Sequence, residues 1–301
     1  MTETQKAYIA VIIQMISIGL SFMFVKFALE VERNIVDLLA HRFTFAFIAA
    51  SIPVALGMVK LSMTRRGLRV LIPLSLLYPL LFFTFQTLGL AHTSTSEAGI
   101  IFASTPVLVA IFASIILKER VTFWQGFFIG LSVCGVVYII IMKGQGAFTF
   151  NIKGIIYTLL SALSTAIYTV LVRRYRQEFT NYTLMYFMML IGIIVFNIIA
   201  LSTHISQDSW TTFFAPLFSI QYLIAIFYLG VLSTFMTQFL SIYALARVEA
   251  AKVRVFNNLS VIVAVAAGVI FLKETLHLYH LIGALVILIG IIGSNYFARK
   301  A

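Results

Sequence analysis

Apolar residues run through this chain in long, nearly unbroken stretches, and polar residues gather mainly in the short gaps between them. Dividing the sequence at those gaps gives ten apolar segments, at about 7–29, 35–57, 68–91, 95–117, 121–142, 152–173, 181–203, 219–246, 248–272 and 277–298. Each is close to the roughly 20 residues that a helix needs to cross a hydrocarbon core of about 30 Å. None alternates in and out like a strand of a membrane barrel. The pattern predicts an all-α integral membrane protein with ten transmembrane helices. Composition agrees: with 61% hydrophobic and only 10% charged residues among 301, there is too little polar surface to cover a water-soluble globule. The first segment is too long for a signal-peptide core and has no clear small-x-small cleavage site, so it reads as a retained span.

The net charge of +11 needs no nucleic-acid partner once its placement is considered. With the N-terminus inside, fifteen of the 21 Lys and Arg fall in inner loops and span ends, against four of the ten acids; the outer side carries six of each. The whole basic excess lies where the positive-inside rule puts it. Both termini are therefore expected in the cytoplasm, in a multi-pass protein of the plasma membrane with the lipid bilayer as its partner, as monomer or homodimer. The single cysteine, Cys134, lies in an apolar stretch and is expected to be buried packing. The pattern Gly126-x-x-x-Gly130 is expected to bring helices together within the chain.

An internal repeat divides the ten segments five and five. A shift of 155 residues lays Lys118-Glu119 on Lys273-Glu274 and Gly135 on Gly290; a shift of 147 lays Lys6 on Lys153, Ser17 on Ser164 and Lys26 on Arg173. Five is odd, so the second half enters the membrane from the opposite side, giving two inverted five-helix repeats. The expected units are 1–143 and 153–301, joined by an extracellular linker, 144–152. In such an arrangement a substrate site lies between the halves. The repeated Lys-Glu pair reads as punctuation: Lys follows the C-terminus of a fourth span and Glu precedes the N-terminus of a fifth, each favoured by the helix dipole on either side of a membrane.

Several of these features resemble the EamA-domain family of the drug/metabolite transporter superfamily. They are Gly19 with Lys26, Arg42 in HRFTFAF, TLGLAHTSTSEAG at 87–99, Pro106 and LKERVTFWQG at 117–126, then IYALARVEAAK at 242–252 and LKETLHLYHLIGALVILIGIIG at 272–293. Two positions depart from the family pattern: Ile18 where Trp is common, and Val261 where the second half would repeat Pro106. The resemblance implies a carrier built from ten spans, with proton or other ion coupling as an open expectation and no further cofactor.

Polar stripes within apolar spans mark where such a carrier would line its pathway, because polar atoms facing lipid cost several kcal/mol. The candidates are Gln14 and Ser17 in span 1, Gln86 in span 3, Ser161, Thr165 and Tyr168 in span 6, Thr234, Gln238 and Ser241 in span 8, and Asn257 and Asn258 in span 9. Spans 1, 3, 4, 6, 8 and 9 are accordingly placed around the pathway, with 2, 5, 7 and 10 outside. Charges within spans are costlier still. Lys26 and Arg42 are expected near Glu97 as an outer gate, and Lys252 and Arg254 near the inner gate; Pro106 is a hinge candidate.

These residues point to a secondary transporter moving a small polar metabolite, an amino acid or related carboxylate, in the export direction by alternating access. A channel or an importer remains an alternative. Membrane-enzyme signatures such as HExxH and GxSxG do not occur, and His277 and His280, three apart, are weak evidence for a metal site.

Overall fold

The computed structural model describes residues 2–119, 121–146, 152–245, 247 and 256–298. Ten helical elements account for the segments: α1 (Glu3–Val31), α2 (Ile35–Ala55), α3 (Arg65–Ser75 and Phe82–His92, joined by π-helical Leu76–Leu81), α4 (Thr95–Phe102 and Thr105–Ile116), α5 (Phe123–Gly146), α6 (Ile152–Arg174), α7 (Asn181–Ser206), α8 (Ile220–Phe227 and Thr237–Leu245, joined by π-helical Tyr228–Met236), α9 (Asn257–Phe271) and α10 (Leu278–Ala298). A short helix, Trp210–Phe214, bridges α7 and α8. Helices α1 to α8 are long and apolar enough to cross a membrane, and two shorter apolar stretches follow, Leu259–Phe271 and Leu278–Ser294. Among the described residues the only β-pairing is an isolated bridge, Met63 to Phe179.

Local sequence sets where the helices start. Thr2, Asn34, Thr64, Ser94, Thr180 and Ser219 each accept a backbone N–H from the first turn of the helix that follows. These caps satisfy donors that no intrahelical carbonyl reaches.

The most extensive helix contacts are kept when each helix is exchanged for the one five places on. Helix α1 packs on α8 and α9, and its counterpart α6 packs on α3 and α4; α2 packs on α7, α4 on α9 and α5 on α10, each on its own counterpart. Large apolar side chains line the outside, among them Ile72, Ile115, Ile198, Leu278 and Leu285, each more than half exposed. That surface suits lipid rather than water.

The structure corrects three of the sequence expectations. Helix α2 is not peripheral: 56% of its apolar window is buried, against 28% for α5. Its scarcity of hydroxyls misled, because it packs through small residues, Ala40, Ala46 and Ala50, all fully buried. Cys134 is exposed, since α5 meets protein mainly on the side facing α10 and an apolar stretch does not say whether its neighbour is lipid or protein. A Cβ at Gly130 would meet nothing within 4 Å and one at Gly126 only Val121 of the preceding link, so among the described residues that pair closes no contact between helices. The close approach of α5 and α10 runs instead through Gly135, Gly283 and Gly290.

Candidate functional site

At the centre, α2, α3 and α8 bring together one buried cation and several buried polar groups. Arg42 is only 2% exposed. Its Nε donates to the Thr234 hydroxyl at 3.1 Å, and its guanidinium carbon lies 4.2 Å from the centroid of the Phe83 ring. Its Nη1 has no hydrogen-bond partner among the described residues, and no described ion pair includes it. Thr234 donates in turn to the Leu229 carbonyl five residues back, at 2.7 Å, a spacing that the π-helical stretch of α8 supplies. Two further candidates, Gln86 and Gln14, are buried with side-chain oxygens that have no partner among the described residues, as is Thr87. Phe83, Gln86 and Thr87 recur at i, i+3 and i+4, so one face of α3 presents all three.

The approach of α8 to α2 depends on a missing side chain. A Cβ at Gly230 would lie 2.7 Å from the Arg42 carbonyl oxygen and 2.7 Å from the Phe45 Cβ. Replacing Gly230 with valine is expected to push α8 away and lengthen the Arg42–Thr234 bond. The cost is about 1–3 kcal/mol of overpacking, to be read as a lower thermal midpoint in detergent; an unchanged midpoint would contradict the packing described.

Beside Arg42 stands a group that sequence reasoning missed. Tyr78, in the π-helical stretch of α3, stacks on Tyr168 at 4.9 Å between centroids and accepts a long hydrogen bond from the Gln238 side-chain nitrogen at 3.4 Å. Thus Tyr168 and Gln238, predicted independently on α6 and α8, meet through a tyrosine on α3. The remaining candidates divide. Ser161 donates to the Phe82 carbonyl at 2.7 Å, Ser17 contributes its carbonyl to the Tyr228 hydroxyl at 3.0 Å, and Thr165 and Ser241 are half-buried. Lys252 and Arg254 lie outside the described residues, as do the side chains of Asn257 and Asn258 at the start of α9. Pro106 does not itself bend a continuous helix. It sits in the first turn of the second piece of α4, just after a break at Ala103–Ser104, where its missing N–H costs nothing.

Lys26 and Glu97 do come together. They line a groove of about 600 Å³ at the end predicted to be outer, with His92, Glu274, His277 and His280. Arg42 is not part of its lining; it belongs to the central group instead. Glu97 is buried and accepts from the Thr93 hydroxyl. Glu274 is seated on the N-terminus of α4, accepting the Thr95 N–H at 2.6 Å, the Ser96 N–H at 2.9 Å and the Ser96 hydroxyl at 2.7 Å. The Lys-Glu pair is thus more than punctuation. Both lysines are left-handed helix ends, Lys118 at φ 57° and Lys273 at φ 53°, but the two carboxylates part company: Glu119 meets Arg173 at 2.5 Å.

A second buried polar group at the same end also went unread. Asp37 pairs with His204 at 2.8 Å, His41 meets the Tyr222 hydroxyl at 2.9 Å, and the Phe213 ring packs against both histidines. The signal was present, since Asp37 and His41 are ionisable groups four apart inside an apolar span. Near them Glu32, in the α1–α2 link, accepts the Asn34 N–H at 2.6 Å. Burial pushes its carboxyl above the ordinary value, the Asn34 N–H pulls it down, and Asp37 repulsion raises it.

Comparison with known proteins places this arrangement in context. The EamA-like transporter family matches twice, over residues 5–141 and 152–296. Uncharacterized transporter YcxC of Bacillus subtilis (strain 168) is 48% identical over 294 residues, covering 98% of this chain and 94% of its own length. An uncharacterized transporter of Archaeoglobus fulgidus is 29% identical over 69% of this chain and 70% of its own. Solute carrier family 35 member G1 of Mus musculus is 28% identical over 38% of this chain and 32% of its own. One crystal structure superposes with a TM-score of 0.63 at 16% identity, covering 99% of this chain and 97% of that one, which is a likeness of fold.

Proposed function

The chain belongs to the EamA-like transporter family, and on that premise we propose that this membrane transporter is a secondary carrier for a small carboxylate-bearing metabolite such as an amino acid. One observation carries the substrate class: Arg42, buried at the centre, points a guanidinium with an unpartnered Nη1 and no carboxylate of its own among the described residues. An isolated buried cation is costly, and a substrate carboxylate offers planar, bidentate relief. Gln86, Thr87, Gln238 and Tyr78 supply neutral hydrogen-bonding groups beside it for the rest of a small polar molecule.

The mechanism we propose is alternating access between two inverted five-helix repeats, 1–143 and 153–301, making ten spans with both termini in the cytoplasm of a plasma-membrane protein. The doubled family match and the exchange symmetry of the packing support it. Glu274, on the N-terminus of α4, holds the outer end closed. Export is the direction we favour, with an ion gradient or the substrate's own gradient as driving force.

Counterflow in proteoliposomes tests the reading. Vesicles loaded with a mixture of unlabelled amino acids and small carboxylates are expected to accumulate a labelled member of the same set against its gradient. Large unitary currents in a planar bilayer would instead identify a channel and overturn the carrier.

A further inference from the structure

At the opposite end from Glu274, the turn between α6 and α7 is docked on the start of α3. The Thr64 N–H donates to the Glu178 carbonyl at 3.0 Å, and the Thr64 hydroxyl donates to the Glu178 carboxylate at 2.5 Å. The docking leaves a depression of about 520 Å³ lined by Arg66, Arg173, Arg174, Arg176 and Glu178, around Tyr175. Four guanidinium groups face one carboxylate. Arg66 reaches Glu178 only at 3.6 Å, and Arg173 is taken up by Glu119. Arg66 and Arg174 both lie over the Tyr175 ring, at 5.8 and 5.9 Å from its centroid, so two like charges share one aromatic ring.

The positive-inside rule accounts for arginines at this end but not for their convergence on one ring and one concavity. An anion does, and the adjoining surface says which kind. Leu68, Ile72 and Leu76 form an apolar stripe along α3, 56%, 74% and 52% exposed, that runs away from the basic end at helical spacing. A basic depression at the head of a helix whose exposed face turns apolar over the next turns has the spacing of an amphiphile, anionic head first and apolar tail after. We propose that the depression seats the phosphate of an anionic phospholipid, held by Arg174 and Arg176 with Arg66, while its acyl chains lie along α3. The site is separate from the central Arg42 and does not depend on the transport reading.

The test uses the full-length protein in a zwitterionic detergent, with its thermal midpoint read against added phosphatidylglycerol, phosphatidylcholine of the same chains, and inorganic phosphate. Phosphatidylglycerol is expected to raise the midpoint, and the other two to leave it unmoved. Arg174→Gln with Arg176→Gln is expected to raise the half-saturating phosphatidylglycerol by at least about tenfold, the lower bound set by a single lost charge-assisted contact. Arg33→Gln, an exposed arginine in the α1–α2 link, is expected to change nothing. The lipid-free midpoint of the double variant reports its fold, and the three additions to the parent protein stand without it. Equal effects of the two lipids, equal weakening by Arg33→Gln, or the whole shift from inorganic phosphate would each overturn the proposal.

Discussion

Arg42→Ala is expected to abolish transport and to leave membrane abundance at the parental level. The reasoning turns on what the guanidinium lacks. A structural arginine in an apolar core is paired, and removing one partner of a buried pair costs about 3–5 kcal/mol because the other charge is stranded. Arg42 has a hydroxyl and an aromatic face but no described carboxylate, so its removal strands nothing. Arg42→Met makes the sharper variant, since it keeps volume and discards charge; its thermal midpoint is expected to equal or exceed the parent's. Truncating one member of a buried charge pair between protein and ligand costs about 2–5 kcal/mol, so uptake should fall by about thirtyfold or more. Loss of midpoint together with loss of transport would mark a structural role, and undiminished transport would remove Arg42 from the site.

Much of this was legible in the sequence, for a physical reason. A continuous apolar run of about 20 residues has few options besides a spanning helix, and a charge inside one is too costly to be incidental; hence the ten segments and the prominence of Arg42. The Lys118 and Lys273 repeat was visible as letters; the left-handed backbone that the two share was not. What stayed hidden concerns neighbours. Periodicity could not separate lipid from protein around Cys134 or Gly130, because both surroundings are apolar. Tyr78 was missed because its role depends on a kink in α3, where its own backbone leaves the helical region (φ −145°, ψ 116°), beside Tyr168 and Gln238. The bonds of Glu274 join residues 178 and 179 positions apart, at helix ends whose meeting no local pattern encodes.

That long-range bond carries the second large prediction. Glu274 places a carboxylate on the first turn of α4, where helix dipole and three hydrogen bonds act together, and the contact is close because Gly268 leaves room for it: a Cβ there would lie 2.3 Å from the Glu274 carboxylate. For a half-buried group this is worth roughly 2–4 kcal/mol, enough to move a two-state equilibrium by about 30- to 1,000-fold. Its repeat mate, Glu119, spends its charge on Arg173 instead, so the two ends of the molecule are not held alike. Glu274→Ala should therefore open the outer end while Glu119→Ala should not. The readout is labelling of Ser21→Cys in a Cys134→Ser background by a membrane-impermeant maleimide applied to intact cells. Ser21 is buried on the α1 stripe of Gln14 and Ser17, so the parent should remain unlabelled and the Glu274→Ala protein should react. Equal labelling of the two would show that the carboxylate caps a helix and gates nothing.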